Sequence, residues 1–84
     1  MATYKVLYWQ EIPSQIRAED DQDEVSLPLA PKFMERIDQL AVQRGLRNAD
    51  DYLAQWKWSE DQERDGSAQE VAEAVRAELE AAWR

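Results

Sequence analysis

The chain has 84 residues, room for one domain and one core, and a chain this short buries only about 60–65% of its unfolded surface, so its bulky side chains must be used efficiently. Its formal net charge of -8, from 18 acids against 10 bases, repels phosphate and makes nucleic acid and anionic membrane disfavoured partners. Histidine and cysteine are both absent, which removes imidazole bases, thiolate nucleophiles, disulfides and the usual zinc or haem ligands together.

Thr3 to Ile12 is rich in aromatic and β-branched residues and reads as a strand, with Tyr4, Val6 and Tyr8 on one face and Lys5, Leu7 and Trp9 on the other. Both faces carry bulk. One covers the core, and the other needs a second layer, a partner chain or exposure. Ile12-Pro13-Ser14 reads as a turn and Gln15 to Glu19 as a returning strand, followed by a solvated acidic connection from Glu19 to Glu24. Val25 to Leu29 gives a third strand that points Val25, Leu27 and Leu29 inward, and Pro28 argues that it lies at a sheet edge.

Pro31 starts a helix whose Phe33, Ile37, Leu40 and Ala41 form an apolar stripe, with Arg44 near its negative end and Gly45 able to close it in the left-handed conformation. Asn48 caps a second helix, carrying Asp50 and Asp51 in its positive first turn and the stripe Ala49, Tyr52, Leu53 and Trp56. Ser59 to Gly66 is polar and reads as loop. Ser67 and Glu70 then form a capping box, opening a third helix with Ala68, Val71, Ala72, Val75, Leu79, Ala82 and Trp83 in one apolar sector.

Reaction chemistry is hard to place on these residues. The acidic run lacks the glycine and the distant bidentate Glu of a calcium loop, the four serines have no histidine to activate them, and Lys5, Lys32 and Lys57 sit in no catalytic motif. Two separated glycines, Gly45 and Gly66, cannot build a phosphate loop. The expectation is no catalytic residue, no cofactor and no metal, and hence no enzyme. A hydrolase working through carboxylates alone would require a deep pocket with two acids of raised pKa. No apolar run approaches the roughly 18–20 residues that span a bilayer, and Met1-Ala2-Thr3-Tyr4 is unlike a signal peptide, so a cytoplasmic protein is expected.

Trp56-Lys57-Trp58 stands out. On a helix Trp56 extends the apolar stripe, while Trp58 lies about 200° away and is either folded under by a reversal at Ser59 or exposed. An exposed Trp58 beside Arg64 makes a binding hot spot, and the alternative is a cation–π clamp that fixes the loop. Trp9, Trp58 and Arg64 are accordingly the candidate partner-binding residues.

Two resemblances bear on this. Val25 to Trp56, a short alternating strand, a Pro-started helix, a Gly turn and an Asn-capped helix, resembles the ribbon-helix-helix repressors, whose strand pairs with its twin in a dimer and reads the major groove. Here Ser26 and Pro28 hold the outward positions and the flanking run is acidic, so a dimer contacting nucleic acid is the runner-up. Tyr4-Lys5-Val6-Leu7-Tyr8-Trp9-Gln10-Glu11-Ile12-Pro13-Ser14-Gln15, Tyr52-Leu53 with Trp56-Lys57-Trp58, and Glu63-Arg64-Asp65-Gly66-Ser67 resemble a bacterial family of short proteins labelled as a virulence factor domain. That label names no reaction. Similar domains attached to helical-repeat proteins imply an adaptor role.

The whole reading is an α+β fold in a single domain spanning residues 1–84: an antiparallel sheet of about three strands covered by three helices. Its expected function is a non-enzymatic interaction module of the bacterial cytoplasm that binds a protein partner. The two-faced first strand and the edge at Pro28 leave room for a homodimer.

Overall fold

The computed structural model of the protein describes residues 1–46 and 48–82. In chain order these form β1 (Ala2–Trp9), β2 (Ile12–Glu19), β3 (Glu24–Pro28), α1 (Pro31–Gln43), α2 (Ala49–Leu53), β4 (Trp56–Trp58), β5 (Gln62–Arg64) and α3 (Ala68–Ala82). The fold is α+β, with three helices as expected and a five-stranded sheet in place of about three strands. β1 is the hub: β2 pairs antiparallel along one side of it, β4 and β5 along the other, and β3 closes the far side of β2. Pro28 does lie on an edge strand, where a missing N–H costs least.

The first turn falls earlier than its proline suggests. Trp9 faces Ile12, so the reversal is Gln10-Glu11, with Gln10 at φ 54°, while Pro13 lies inside β2. Leu7 faces Gln15 and Tyr8 faces Pro13, which leaves Ser14 without an opposite residue. A bulge is the place where a strand interior accommodates proline. The bulged Ser14 still uses its carbonyl, which accepts the Leu29 N–H at 3.0 Å.

β4 and β5 replace the expected end of the second helix and the expected loop from Ser59 to Gly66. Together they run along β1 as one interrupted strand: Trp58 faces Leu7 and Gln62 faces Tyr4, so Ser59, Glu60 and Asp61 oppose only Lys5 and Val6. Ser59 bridges the irregularity. Its N–H donates to the Val6 carbonyl at 2.8 Å, and its Oγ accepts the Val6 N–H at 2.9 Å.

The register puts Val6, Ile16 and Leu27 side by side on one sheet face, with Tyr4, Ala18 and Val25 in the next row. α3 lies across β1, β2 and β3, and α1 packs against β2. Phe33, Ile37, Leu40 and Ala41 of α1, with Ala68, Val71, Ala72 and Val75 of α3, are buried in one contiguous core with Val6, Ile16 and Ala18. Those helical positions are the ones the 3.6-residue period selects, although Ala82 is exposed and Trp83 lies outside the described residues. Gly45 closes α1 at φ 70°, with the Leu46 N–H returning to the Ala41 carbonyl at 2.8 Å.

α3 is held at its start by two devices. Ser67 and Glu70 exchange the capping-box bonds at 3.2 and 3.3 Å. In addition, Asp20 of the acidic connection accepts the Ala68 N–H through Oδ2 at 2.8 Å, and its Oδ1 accepts the Gln22 and Asp23 N–H groups. The acidic run is therefore solvated except at Asp20, which joins the second turn to the last helix. The radius of gyration, 13.8 Å, exceeds the about 12 Å typical of a globular chain this long, and the thinnest extent is 15 Å. That is the thickness of a sheet with helices on one face over most of its area.

Candidate functional site

Thr3, Lys5, Leu7 and Trp9 alternate onto the second face of the sheet, and the register aligns Trp56 and Trp58 with Trp9 and Leu7 on it. α2 covers one end of this face. Asn48 caps the short helix by accepting the Asp50 N–H at 2.9 Å. Its Tyr52 then seats against Trp9, with ring centroids 5.6 Å apart, and against Trp56 at 6.1 Å, edge-on. The Trp9 indole N–H donates to the Tyr52 carbonyl at 3.1 Å, so the ring's polar atom is satisfied inside the protein.

Trp9 is 0% exposed and takes no part in any surface. Its assignment as a partner-binding residue is corrected: the ring is buried in one core cluster with Val6, Phe33 and Ile37, and Tyr52 of α2 packs against it.

The turn beside Trp9 is fastened in the same way. Arg44, at the end of α1, donates to both Glu11 carboxylate oxygens at 2.9 and 3.2 Å and to the Gln10 side-chain carbonyl. Gln10 also bonds Gln55 through backbone and side chain, at 3.2 and 3.1 Å. The hydrogen bond from Arg44 holds the Glu11 carboxyl below its ordinary range. These contacts fix the positive-φ Gln10 and tie the hairpin to both α1 and the chain after α2.

Beyond α2 the second face is uncovered. Three cross-strand rows lie on it: Thr3, Glu19 and Glu24; Lys5, Arg17 and Ser26; Leu7, Gln15 and Pro28, with Trp58 beside Leu7 and Glu63 beside Thr3. None of these residues is buried. Trp58 is 39% exposed, and the Lys5 ammonium sits over its ring at 4.8 Å from the centroid. Arg17 pairs with Glu24 on the neighbouring strand. Thr3, Tyr4, Lys5, Arg17, Glu19 and Asp61 line a shallow depression of about 220 Å³.

Arg64 does not join Trp58. It faces Ala2, five positions along β1 from Leu7, or about 17 Å, and Ala2 belongs to the helix-covered face. There the guanidinium grips Glu78 of α3 through both nitrogens, at 3.0 and 2.5 Å. That fork raises the Arg64 pKa and lowers that of Glu78. The clamp reading of Trp58 is met with Lys5, a partner that sequence reasoning missed. A usable signal was present, because Trp56-Lys57-Trp58 alternates with period two, as a strand does.

β3 is paired from Glu24 to Pro28 with β2 of the same chain, so the ribbon-helix-helix reading is not supported.

A family model described as Virulence factor matches residues 7–84. The chain belongs to the virulence factor family. No curated protein and no solved structure matches it. Among the described residues of this virulence factor domain, no helix is long and apolar enough to cross a membrane.

Proposed function

We propose that this virulence factor domain is a non-enzymatic adaptor of the bacterial cytoplasm that binds a protein partner through the uncovered part of its sheet, around Trp58 and Leu7. One observation carries the reading: a tryptophan with 39% of its surface in water stands on the part of the second sheet face that α2 leaves uncovered. A chain this short has little apolar bulk to spare, and tryptophan is enriched where binding energy concentrates. The family name supports a virulence association and names no reaction. The shallowness of the depression, and carboxyls at Glu11, Asp20 and Glu78 held below their ordinary range, favour binding over acid catalysis.

Affinity capture from the native bacterium tests this with the wild type, Trp58→Thr, and Leu53→Thr as a control, since Leu53 is 62% exposed on α2. The expected result is loss of the partner with Trp58→Thr alone. Recovery of the same partners by a folded Trp58→Thr protein refutes the surface.

A further inference from the structure

We infer that the uncovered sheet face docks a short basic segment of a partner protein, one that carries Lys or Arg beside aliphatic side chains. The inference rests on the reading of that face as the binding surface and adds the chemistry of what binds.

The face divides into two ends. At one, Leu7 and Trp58 present apolar surface. At the other, Glu19 and Glu63 flank Thr3 from the two neighbouring strands, and Asp61 lines the same depression. The two cations on the face are already engaged, Lys5 over the Trp58 ring and Arg17 with Glu24. Glu19, Asp61 and Glu63 have no ion-pair partner among the described residues. What remains for an incoming chain is negative charge next to an apolar spot.

The Trp58 ring adds an independent argument. Its face holds the Lys5 ammonium at 4.8 Å from the centroid, which shows that the ring is presented to cations on this side of the sheet. Lys5 is tethered by a flexible stem, so a partner's Arg or Lys can exchange with it.

Size decides between a segment and a whole surface. Four strands at about 4.8 Å spacing and five residues at about 3.4 Å give a footprint of about 300 Å², against about 800 Å² per partner in a standard interface. A single strand or helical turn fills it. A second copy of this chain fits poorly, because it would bring a further formal charge of -8 and the same three carboxylates.

The test is a titration of the purified chain, followed by ¹H–¹⁵N NMR, with two synthetic peptides of equal length: one alternating Arg and Val, the other alternating Glu and Val. The basic peptide is expected to bind at least about tenfold more tightly than the acidic one, shifting Lys5, Leu7, Arg17 and the Trp58 indole. Trp58→Thr weakens it about tenfold, and Trp58→Tyr, which keeps a ring, restores most of the loss and excludes misfolding as the cause. The pair Glu19→Gln and Glu63→Gln weakens it about fivefold and flattens its salt dependence.

Equal binding of the acidic peptide, absence of binding, shifts centred on Asp21 to Asp23 or on Val42 and Leu53, or shifts that track protein concentration without peptide each overturn the inference. The two readings fail separately. A captured partner that needs Trp58 but presents an acidic or neutral segment removes the charge argument and leaves the surface standing, whereas a partner indifferent to Trp58 removes both.

Discussion

Ser59→Ala isolates a single hydrogen bond that the fold relies on at its centre. Val6 sits in β1 and is 4% exposed, and its N–H is taken by the Ser59 hydroxyl at 2.9 Å where an ordinary ladder would offer a carbonyl. Alanine keeps the backbone bond from the Ser59 N–H to the Val6 carbonyl but leaves the Val6 N–H without an acceptor. Removing one partner of a buried bond costs about 1–3 kcal/mol, because the stranded group loses water and gains nothing. Urea unfolding of a domain this small has a slope of about 1 kcal/mol per molar, so the midpoint is expected to fall by about 1–3 M. The Val6 amide should also lose hydrogen-exchange protection before its neighbours. Ser59→Thr keeps the hydroxyl and should stay near the wild type, and Glu60→Ala, exposed one residue on, should change stability by less than about 0.5 kcal/mol. If Ser59→Ala shifts the midpoint no more than Glu60→Ala does, the bulge does not depend on the serine and the account of β4 and β5 as one bridged strand is wrong.

Trp9→Ala opens the core under α2 and should cost about 3–5 kcal/mol by thermal or chemical unfolding, several times the loss with Trp58→Thr; equal losses would contradict the burial difference between the two rings. Gly45→Ala puts a side chain at φ 70° with nothing within 4 Å of its Cβ, so the cost is backbone strain alone, about 1–2 kcal/mol, and a neutral result would show that α1 ends differently. The pKa values of Glu11, Asp20 and Glu78 are lowered on folding, Glu11 by the Arg44 hydrogen bond, Asp20 first by the Ala68 N–H, and Glu78 by Arg64. Their contribution is present above the unfolded values of 4.5 and 3.8 and is lost as pH falls through the lower folded values, so melting temperature should drop on acidification below about pH 4.5. Asp20→Asn should lower stability at pH 7 and reduce that acid dependence, and an unchanged pH profile would refute the capping role of Asp20.

Periodic elements were legible from the residues, and irregular ones were not. α1 and α3 announce themselves through stripes that match their buried positions, and Asn48, Gly45 and the Ser67–Glu70 box act as their chemistry suggests. Pro13 misplaced the first turn, because proline marks a turn in isolation but is equally at home in a bulge, and only pairing with Tyr8 decides between them. Gln62-Glu63-Arg64 carries no strand pattern of its own and is a strand because β1 offers it an edge. Trp56 followed a helical period from Tyr52 and Leu53 only because a five-residue helix and a strand meet there, and a seven-residue match cannot separate the two. Arg64 and Trp58 lie close in sequence, yet the register puts them on opposite faces, a distinction that no reading of local spacing supplies.

The strings that carry the family resemblance divide in the same way. Trp9, Gln10, Glu11 and Trp56 are consumed in holding the hairpin to α2 and Arg44, and Arg64 is consumed in fastening β5 to α3. Trp58 departs from this pattern. Its neighbours on both sides, Lys57 and Ser59, are satisfied by strand pairing, and replacing its ring with a β-branched polar residue would leave that pairing intact. A side chain this large, beside Leu7 on the part of the face beyond α2, is outside the buried core. Beyond Trp56, the contact that the Trp-Lys-Trp string makes within the chain is the Lys5 ammonium over the Trp58 ring. The partner contact proposed for Trp58 would have to share or displace that ammonium, so Lys5→Ala should change binding through this face if the proposal holds.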